Sequence, residues 1–368
     1  MAAITAAMVK ELRETSGAGM MDCKKALAET DGNMEAALDI LKKNGQAKAD
    51  KKANRIAAEG VCRIAIEDNK KAAVVEVNSE TDFVAKNEKF TSYVERVAEQ
   101  ALKSNSTDMD AFMAEQWVDD ASKTVKDSLV EMIAVIGEKL SIRRFDKLEG
   151  DAVVGYLHGA GRIGVLVSAD TATANDAVLE ALRNVAMQIA AMNPQYLSDA
   201  DISDEEKAKM REITIDSALN DPASLPKPLL QKLIDKAIAD KKWSDEDIAV
   251  YEEKKSNMNY LFNFLSKEAA QALAELALAD KDAIGADKIF AGLVNGRISK
   301  QEKEVVLLNQ VYVKAEDGKQ TVAQYLAQVG KDNGTTVSVK KFIRFETGEG
   351  MEKKNEDFAA EVAAQMNA

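Results

Sequence analysis

Apolar positions along the chain change period several times, and the changes divide it. Ile4, Met8 and Leu12 recur at four-residue spacing and stop at Ser16-Gly17-Ala18-Gly19. Met20 to Glu29 reads as a second helix closed by Asp31-Gly32, and Met34, Ala37, Leu38 and Leu41 repeat at helical spacing up to a C-cap at Asn44-Gly45. Three short helices bury little core, and the usual occupation of such a module is gripping a partner. From Glu59 the period becomes two. Val61, Arg63 and Ala65 alternate with Cys62, Ile64 and Ile66, a turn falls at Glu67-Asp68-Asn69-Lys70, and Ala73 to Val77 returns, which predicts a β-hairpin. Helical spacing resumes through Phe90, Val94, Val97 and Leu102, and again through Leu129, Ile133 and Ile136, before a strand at Leu140 to Phe145.

The pattern then repeats. Glu59-Gly60 recurs as Glu149-Gly150, and at an ungapped offset of 90 residues Ile64 falls on Val154, Ile66 on Tyr156, Val75 on Val165 and Val77 on Val167. The closing strand Ser141-Ile-Arg-Arg-Phe145 has a counterpart in Ser338-Val-Lys-Lys-Phe342, each preceded by a helix with a similar end, Ile136-Gly137 and Val329-Gly330. Two related core subdomains follow, each a three-stranded antiparallel sheet with helices on one face. Between the second copy's helix and its closing strand lies a long insertion, about Ser198 to Glu304, with all four prolines (Pro194, Pro222, Pro226, Pro228) at its start or in its first third. Its clusters at Leu229, Leu233 and Ile234, then Leu261, Phe262, Phe264 and Leu265, predict an arm of antiparallel helices packed on itself or on a second copy. A last helix is expected at Glu356 to Met366, with Phe358, Val362 and Met366 on one face.

Composition narrows the class. Aromatic residues are 5% and apolar residues 46% of the chain, which favours helix over an all-β sandwich, so the expected fold is α+β and mostly helical. The boundaries drawn are 1–55 for the three-helix domain and linker, 56–150 and 151–197 with 305–350 for the two core subdomains, 198–304 for the inserted arm, and 351–368 for the terminal helix.

Charge and rare residues remove several functions. Lys and Arg number 49 against 62 Asp and Glu, a net charge of -13, so a nucleic-acid backbone would meet a repulsive field overall. The basic stretch Lys42 to Arg55 has no aromatics interleaved and reads as a solvated linker or helix face. With a single histidine (His158) and two cysteines (Cys23, Cys62), the chain lacks the ligand pairs of an ordinary zinc site, and no metal or cofactor is expected. No apolar run approaches the ~18 residues of a membrane span and the N-terminus lacks the pattern of a signal peptide, so a cytoplasmic protein is expected.

Two motifs mislead. Gly159-Ala160-Gly161-Arg162-Ile163-Gly164 satisfies G-x-G-x-x-G, but Val165-Leu166-Val167 after it is strand where a dinucleotide fingerprint opens a helix, so a glycine-rich hairpin turn is the better reading. Gly318-Lys319 lacks the earlier glycine and the following Ser or Thr of a P-loop. His158 has no nucleophile or acid placed near it by any motif and is read as a turn or partner-contact residue. The most informative segment is Asn78-Ser79-Glu80-Thr81-Asp82-Phe83-Val84-Ala85-Lys86-Asn87. It reads either as an N-cap with a core Phe or as a wedge into a partner, and the second subdomain has no aromatic at the aligned place.

Leu12 to Leu27 and Glu76 to Asn87 resemble the two signature segments of the bacterial elongation factor Ts family; the hairpin Tyr156 to Val167 and the stretch Phe342 to Gly350 are similar to it as well. The resemblance covers the chain apart from much of the insertion. It implies a guanine nucleotide exchange factor for elongation factor Tu, without covalent chemistry of its own, and a ubiquitin-associated-like (UBA-like) N-terminal domain. The family's Thr-Asp-Phe-Val motif, here Thr81, Asp82, Phe83 and Val84, is implied to enter the partner and dislodge Mg2+ from its nucleotide site. Further partner contacts are implied at Met20, Lys24, Ile136, Gly137 and His158, and at Val305, after which Val311 departs from the family pattern. The lengthened insertion is expected to extend a dimerisation arm. The alternative reading is a UBA-like binding module without exchange activity.

Overall fold

Bare backbone N–H groups at a helix start need an acceptor, and the first and third helices find theirs in short polar side chains. Thr5 caps α1 (Ala6–Ser16) by accepting from the Met8 amide, and Asn33 caps α3 (Met34–Lys52) by accepting from Ala36, with α2 (Met20–Glu29) between them. Leu12, Cys23, Leu27 and Ala37 are fully buried in a small core of their own. The expected stop at Asn44-Gly45 does not occur. Gly45 sits buried in mid-helix against Val130 and Ala134, and α3 continues through the basic stretch to Lys52, tertiary burial overriding the local signal. The computed structural model describes residues 4–352, so the helix expected at Glu356–Met366 lies outside the described residues.

The period-two segments form β1 (Glu59–Glu67) and β2 (Lys71–Ser79), paired antiparallel across a turn in which Asp68 and Asn69 take φ of 52° and 53°. Short polar residues tolerate that left-handed region best after glycine. There follow α4 (Asp82–Ala85), α5 (Glu88–Lys103), α6 (Met109–Ala114), a small hairpin of β3 (Gln116–Trp117) and β4 (Asp120–Thr124), α7 (Val125–Ile136) and β5 (Leu140–Glu149). The β3–β4 hairpin is too short to leave a period in the sequence. The chain continues through β6 (Ala152–His158), β7 (Ile163–Asp170) and α8 (Asp176–Met192), then α9 (Asp204–Leu219), α10 (Lys227–Ala239), α11 (Asp245–Lys254), α12 (Lys267–Ala279), α13 (Lys281–Gly285) and α14 (Lys288–Val305), and ends in α15 (Val322–Asp332) and β8 (Ser338–Glu346). The fold is α+β, with helices dominating and small antiparallel sheets ordered β1-β2-β5 and β6-β7-β8. It divides into two compact units, one running to Asn193 and resuming at Gln324, the other Pro194–Ala323.

In the first unit, alternation along β2 explains its near-continuous apolar run. Val75 and Val77 face Phe90, Val94 and Val97 of α5 and Leu129 of α7, while Val74 faces Val153, Leu166 and Ile343 of the other sheet. α8 covers β6 and β7 on their far side. The layers therefore run helix, sheet, sheet, helix, and central strands buried on both faces lose the polar half of their alternation. The sheets approach closely at glycines: a Cβ on Gly164 would stand 3.0 Å from both Cys62 Cβ and Val74 Cγ2. The G-x-G-x-x-G run thus serves sheet packing and leads into β7.

The two sheets match in detail, at an alignment that differs from the ungapped one. A register shift falls between Glu76 and Val77 where β2 meets β5, and between Ser168 and Ala169 where β7 meets β8. Just beyond, Ser79 Oγ donates to the Thr81 carbonyl at 3.0 Å and Thr171 Oγ1 donates to the Thr173 carbonyl at 3.1 Å. Ser168, not Leu166, therefore answers to Glu76. Along β2 and β7 the slip is two residues and keeps every side chain on its face, so their apolar pattern does not register it; along β1 and β6 it is one, Ile64 answering to Gly155.

The second unit differs from the expected arm of antiparallel helices. Its six α-helices surround one core that includes Leu219, Leu230, Ile234, Trp243, Leu261, Leu273 and Phe290. Trp243 Nε1 donates to the Ala269 carbonyl at 3.0 Å, and Asp247 Oδ2 accepts from the Ser244 and Ser266 hydroxyls, so polar groups inside it are paired. Its entry and exit strands lie side by side, with Gln195 and Tyr196 amides donating to the Val305 carbonyl.

Candidate functional site

Four residues cannot sustain a helix by themselves, since nucleation fixes several dihedrals for one hydrogen bond. α4 is such a turn, and neighbours hold it from both ends. Thr81 Oγ1 caps it by accepting from the Val84 amide at 3.4 Å, and the Lys86 amide closes it on the Phe83 carbonyl. Val84 and Ala85 are half-buried against the core beneath α5. That seating turns the next side chain outward: Phe83 is 81% exposed. Of the two readings of the segment, the core phenylalanine is excluded and the Thr81 cap is present. Asp82 pairs with Lys86 at 2.6 Å, and this hydrogen bond, offset slightly by desolvation, holds its carboxyl below the usual range.

Two carboxylates fasten the turn, Glu138, which sequence reading did not single out, and Glu80, which lay within the quoted segment without a role. α7 ends at Gly137, whose φ of 85° is the left-handed conformation of a helix stop, and the chain then presents Glu138. Glu138 accepts from the Thr81 amide at 3.1 Å through Oε2 and from the Thr81 hydroxyl at 2.8 Å through Oε1. Glu80 reciprocates, accepting from the Lys139 amide at 2.6 Å and from Arg55 Nη1 at 3.2 Å. Thr81–Val84 and Ile136–Gly137 are thus brought together, with half-buried Ile136 in the same core.

A buried charge lies two residues upstream of Asn78. Glu76 is fully buried and accepts from Arg143 Nη1 at 2.9 Å, Arg144 Nε at 2.6 Å, Asn78 Nδ2 at 3.1 Å and the Gly348 amide at 2.8 Å. Burial alone would raise its carboxyl; the Gly348 amide and the two guanidiniums overcome this and hold it below the usual range. Arg144 also covers the Phe345 ring at 4.2 Å. Cys62, between the sheets, has its thiol pushed up to about 11 by burial, which leaves it protonated and inert.

His158 is exposed at the end of β6, its Nδ1 3.1 Å from the Tyr156 hydroxyl. The hairpin it begins is tied back to β1 by Arg63 Nη1, which donates to the Ala160 carbonyl at 3.3 Å. Met20 and Lys24 are exposed on α2, Met20 at 59% beside the equally open Met21. Val305 ends α14 in the other unit and is half-buried. A cavity of about 330 Å³ between α3 and α7 is lined by Leu38, Leu41, Gly45, Lys123, Glu131 and Val135 among others, and includes none of the candidate site residues. Among the described residues there is no cluster of three or more His, Cys, Asp or Glu suited to a metal, and no helix is long and apolar enough to cross a membrane.

The geometry defines an α+β protein that holds an aromatic side chain outward on a clamped helical turn at the end of a sheet. Residues 80–349 match the family model described as elongation factor TS. The chain is 40% identical over 368 residues to the elongation factor Ts of Clostridioides difficile (strain 630), all of both chains being covered. It is 39% identical over 367 residues to that of Clostridium novyi (strain NT), covering 99% of each, and 39% identical over 369 residues to that of Trichlorobacter lovleyi, covering 98% of each. The chain belongs to the elongation factor Ts family of translation elongation factors.

Proposed function

We propose that this chain is a guanine nucleotide exchange factor: it binds elongation factor Tu carrying GDP, displaces Mg2+ from the nucleotide site and promotes GDP release so that GTP can bind. The observation that carries the reading is Phe83, 81% exposed on a turn whose every fixed point lies behind it. An aromatic side chain held out at that cost in apolar exposure suits insertion into a groove of a partner, and Asp82 beside it brings a negative charge toward a cation and its waters. Such a factor makes and breaks no covalent bond. It binds the nucleotide-free partner more tightly than the loaded one, and reciprocity requires it to weaken GDP binding by the same factor. Mg2+ bridges the phosphates to the partner's own ligands in GTPases, so its loss is where that coupling acts.

Within this reading Met20, Lys24, Ile136, Gly137, His158 and Val305 are further contacts, the three-helix domain is a UBA-like docking module, and the protein works in the cytoplasm. The exposed Ile213, Tyr260, Phe264 and Ile289 of the second unit support it as a self-association surface; light scattering that finds a monomer at every concentration removes that part. The exposed Met20-Met21 pair supports the second reading, a binding module without exchange activity. Release of fluorescent GDP from elongation factor Tu separates the two. Acceleration by the intact chain, slowed about thirtyfold or more by Phe83→Ala with the fold retained, is expected for a buried aromatic anchor. Wild-type rates for Phe83→Ala and Asp82→Ala would show that the motif is structural only.

A further inference from the structure

We propose that Glu138 is a positioning residue for exchange: its carboxylate holds Thr81, and through Thr81 the turn that carries Phe83. The inference rests on the exchange reading above and adds a residue that acts through Thr81. A threonine hydroxyl has one proton to give and lone pairs to receive with. At Thr81 the proton is committed to Glu138 Oε1 at 2.8 Å, which leaves a lone pair for the Val84 amide at 3.4 Å and makes Thr81 an N-cap. The second carboxylate oxygen takes the Thr81 amide at 3.1 Å, fixing the backbone where the turn begins. Both bonds end on a carboxylate, the stronger kind of acceptor. Glu80 and Lys139 complete the fastening in the opposite direction, so the loop and the segment after α7 are tied twice.

The second sheet shows what the loop does without this device. There the loop after β7 has one carboxylate at its start, Asp151 Oδ2 accepting from the Thr171 amide at 3.2 Å, and beyond it only neutral side-chain pairs, Thr171 Oγ1 at 3.2 Å from Thr335 Oγ1 and Asn175 Nδ2 donating to Asn333 Oδ1 at 3.0 Å. It contains no helical turn and no aromatic. The reciprocal pair, Glu138 on both the amide and hydroxyl of Thr81 and Glu80 on the Lys139 amide, accompanies the added turn. Gly137 gains a role from this as well: by ending α7 in the left-handed conformation it aims Glu138 at Thr81. A Cβ there would meet nothing within 4 Å, so the glycine is required by its φ and not by crowding.

If the clamp positions Phe83, loosening it leaves the docking surfaces intact and slows the step in which the turn must be ordered. Expected for Glu138→Ala is a maximal rate of stimulated GDP release lowered about tenfold at saturating factor, the loss of charge-assisted bonds to one acceptor, with the half-saturating concentration changed less than about twofold. Glu138→Gln, which keeps an acceptor oxygen for one of the two bonds, recovers part of the rate. The double variant Glu138→Ala with Thr81→Val is no slower than the slower single variant, because both act through one contact. Glu138→Ala releasing GDP at the wild-type rate while Phe83→Ala is slow overturns the proposal and leaves the exchange reading standing; so does strict additivity in the double variant. Wild-type release by Phe83→Ala as well overturns the exchange reading itself. Hydrogen exchange at the Thr81 and Val84 amides of the free protein, faster in Glu138→Ala while β2 stays protected, separates a loosened turn from a weakened fold.

Discussion

The two sheets of the first unit share one plan and part at two points. Both carry an antiparallel hairpin, a closing strand joined with a register shift, and a Ser or Thr at the end of the central strand that donates to the carbonyl two residues on. Both then enter a long helix capped by asparagine, Asn87 before α5 and Asn175 before α8. Between those fixed points the first sheet has four residues more, the length of α4. At the matched register shift the first has Glu76, buried with two arginines, and the second has Ser168, whose hydroxyl lies 3.4 Å from the Lys341 carbonyl. A common scaffold thus carries an outward aromatic only where a buried charge network and a pair of carboxylates have been added behind it. The difference teaches that the added turn depends on its supports, since its own four residues cannot hold it.

Substitutions at matched places sharpen that comparison in a graded order. Glu76→Ala leaves Arg143, Arg144 and the Gly348 amide facing an empty acceptor position and is expected to cost roughly 3 kcal/mol or more, read as a large fall in the denaturation midpoint. Ser168→Ala removes one long hydrogen bond at the equivalent place and should cost about 1 kcal/mol. Asp82→Ala breaks only an exposed pair with Lys86 and should leave the midpoint unmoved while still slowing GDP release. Equal losses for Glu76→Ala and Ser168→Ala would remove the first difference between the sheets.

Acid distinguishes them too. Because the Glu76 carboxyl lies below its ordinary value of 4.5 in the folded chain, the unfolded chain binds more protons in that range. The stabilisation from Glu76 is complete above about pH 4.5 and disappears as the pH falls through the lowered folded value. Glu76→Gln is expected to be less stable at neutral pH and to lose less on acidification. A denaturation midpoint that falls as steeply with acid in the variant as in the wild type would show that Glu76 is not the responsible group.

Much of this was legible in the sequence. Residue periods found α1, α2, the first hairpin and the helices that cover it, the internal repeat implied the second hairpin and the helix after it, and the mixed chemistry of Thr81-Asp82-Phe83 marked the segment that became the exposed turn. What stayed hidden depends on contacts between distant residues. Glu138 reaches Thr81 only because β5 returns beside β2, and nothing local to either residue announces the pairing. The alignment of the two copies was off by two residues along β2 and β7, whose Val- and Ala-rich pattern keeps its faces under that slip, and by one along β1 and β6, and only the strand registers and the turn hydroxyls reveal it. Gly45 read as a stop because its burial against Val130 and Ala134 comes from a helix far along the chain. The six-helix core of the second unit was hidden for the same reason: clusters such as Leu261 and Leu265 fit a two-helix stripe as well as a compact bundle.

The most direct test exchanges the one feature that separates the two loops. Residues 80–86 are replaced by the three residues 172–174 of the second sheet, and fluorescent GDP release from elongation factor Tu is followed at saturating factor. The account predicts that the intact chain accelerates release and that the folded chimera releases GDP at the unassisted rate. A chimera that accelerates release as the intact chain does would contradict it.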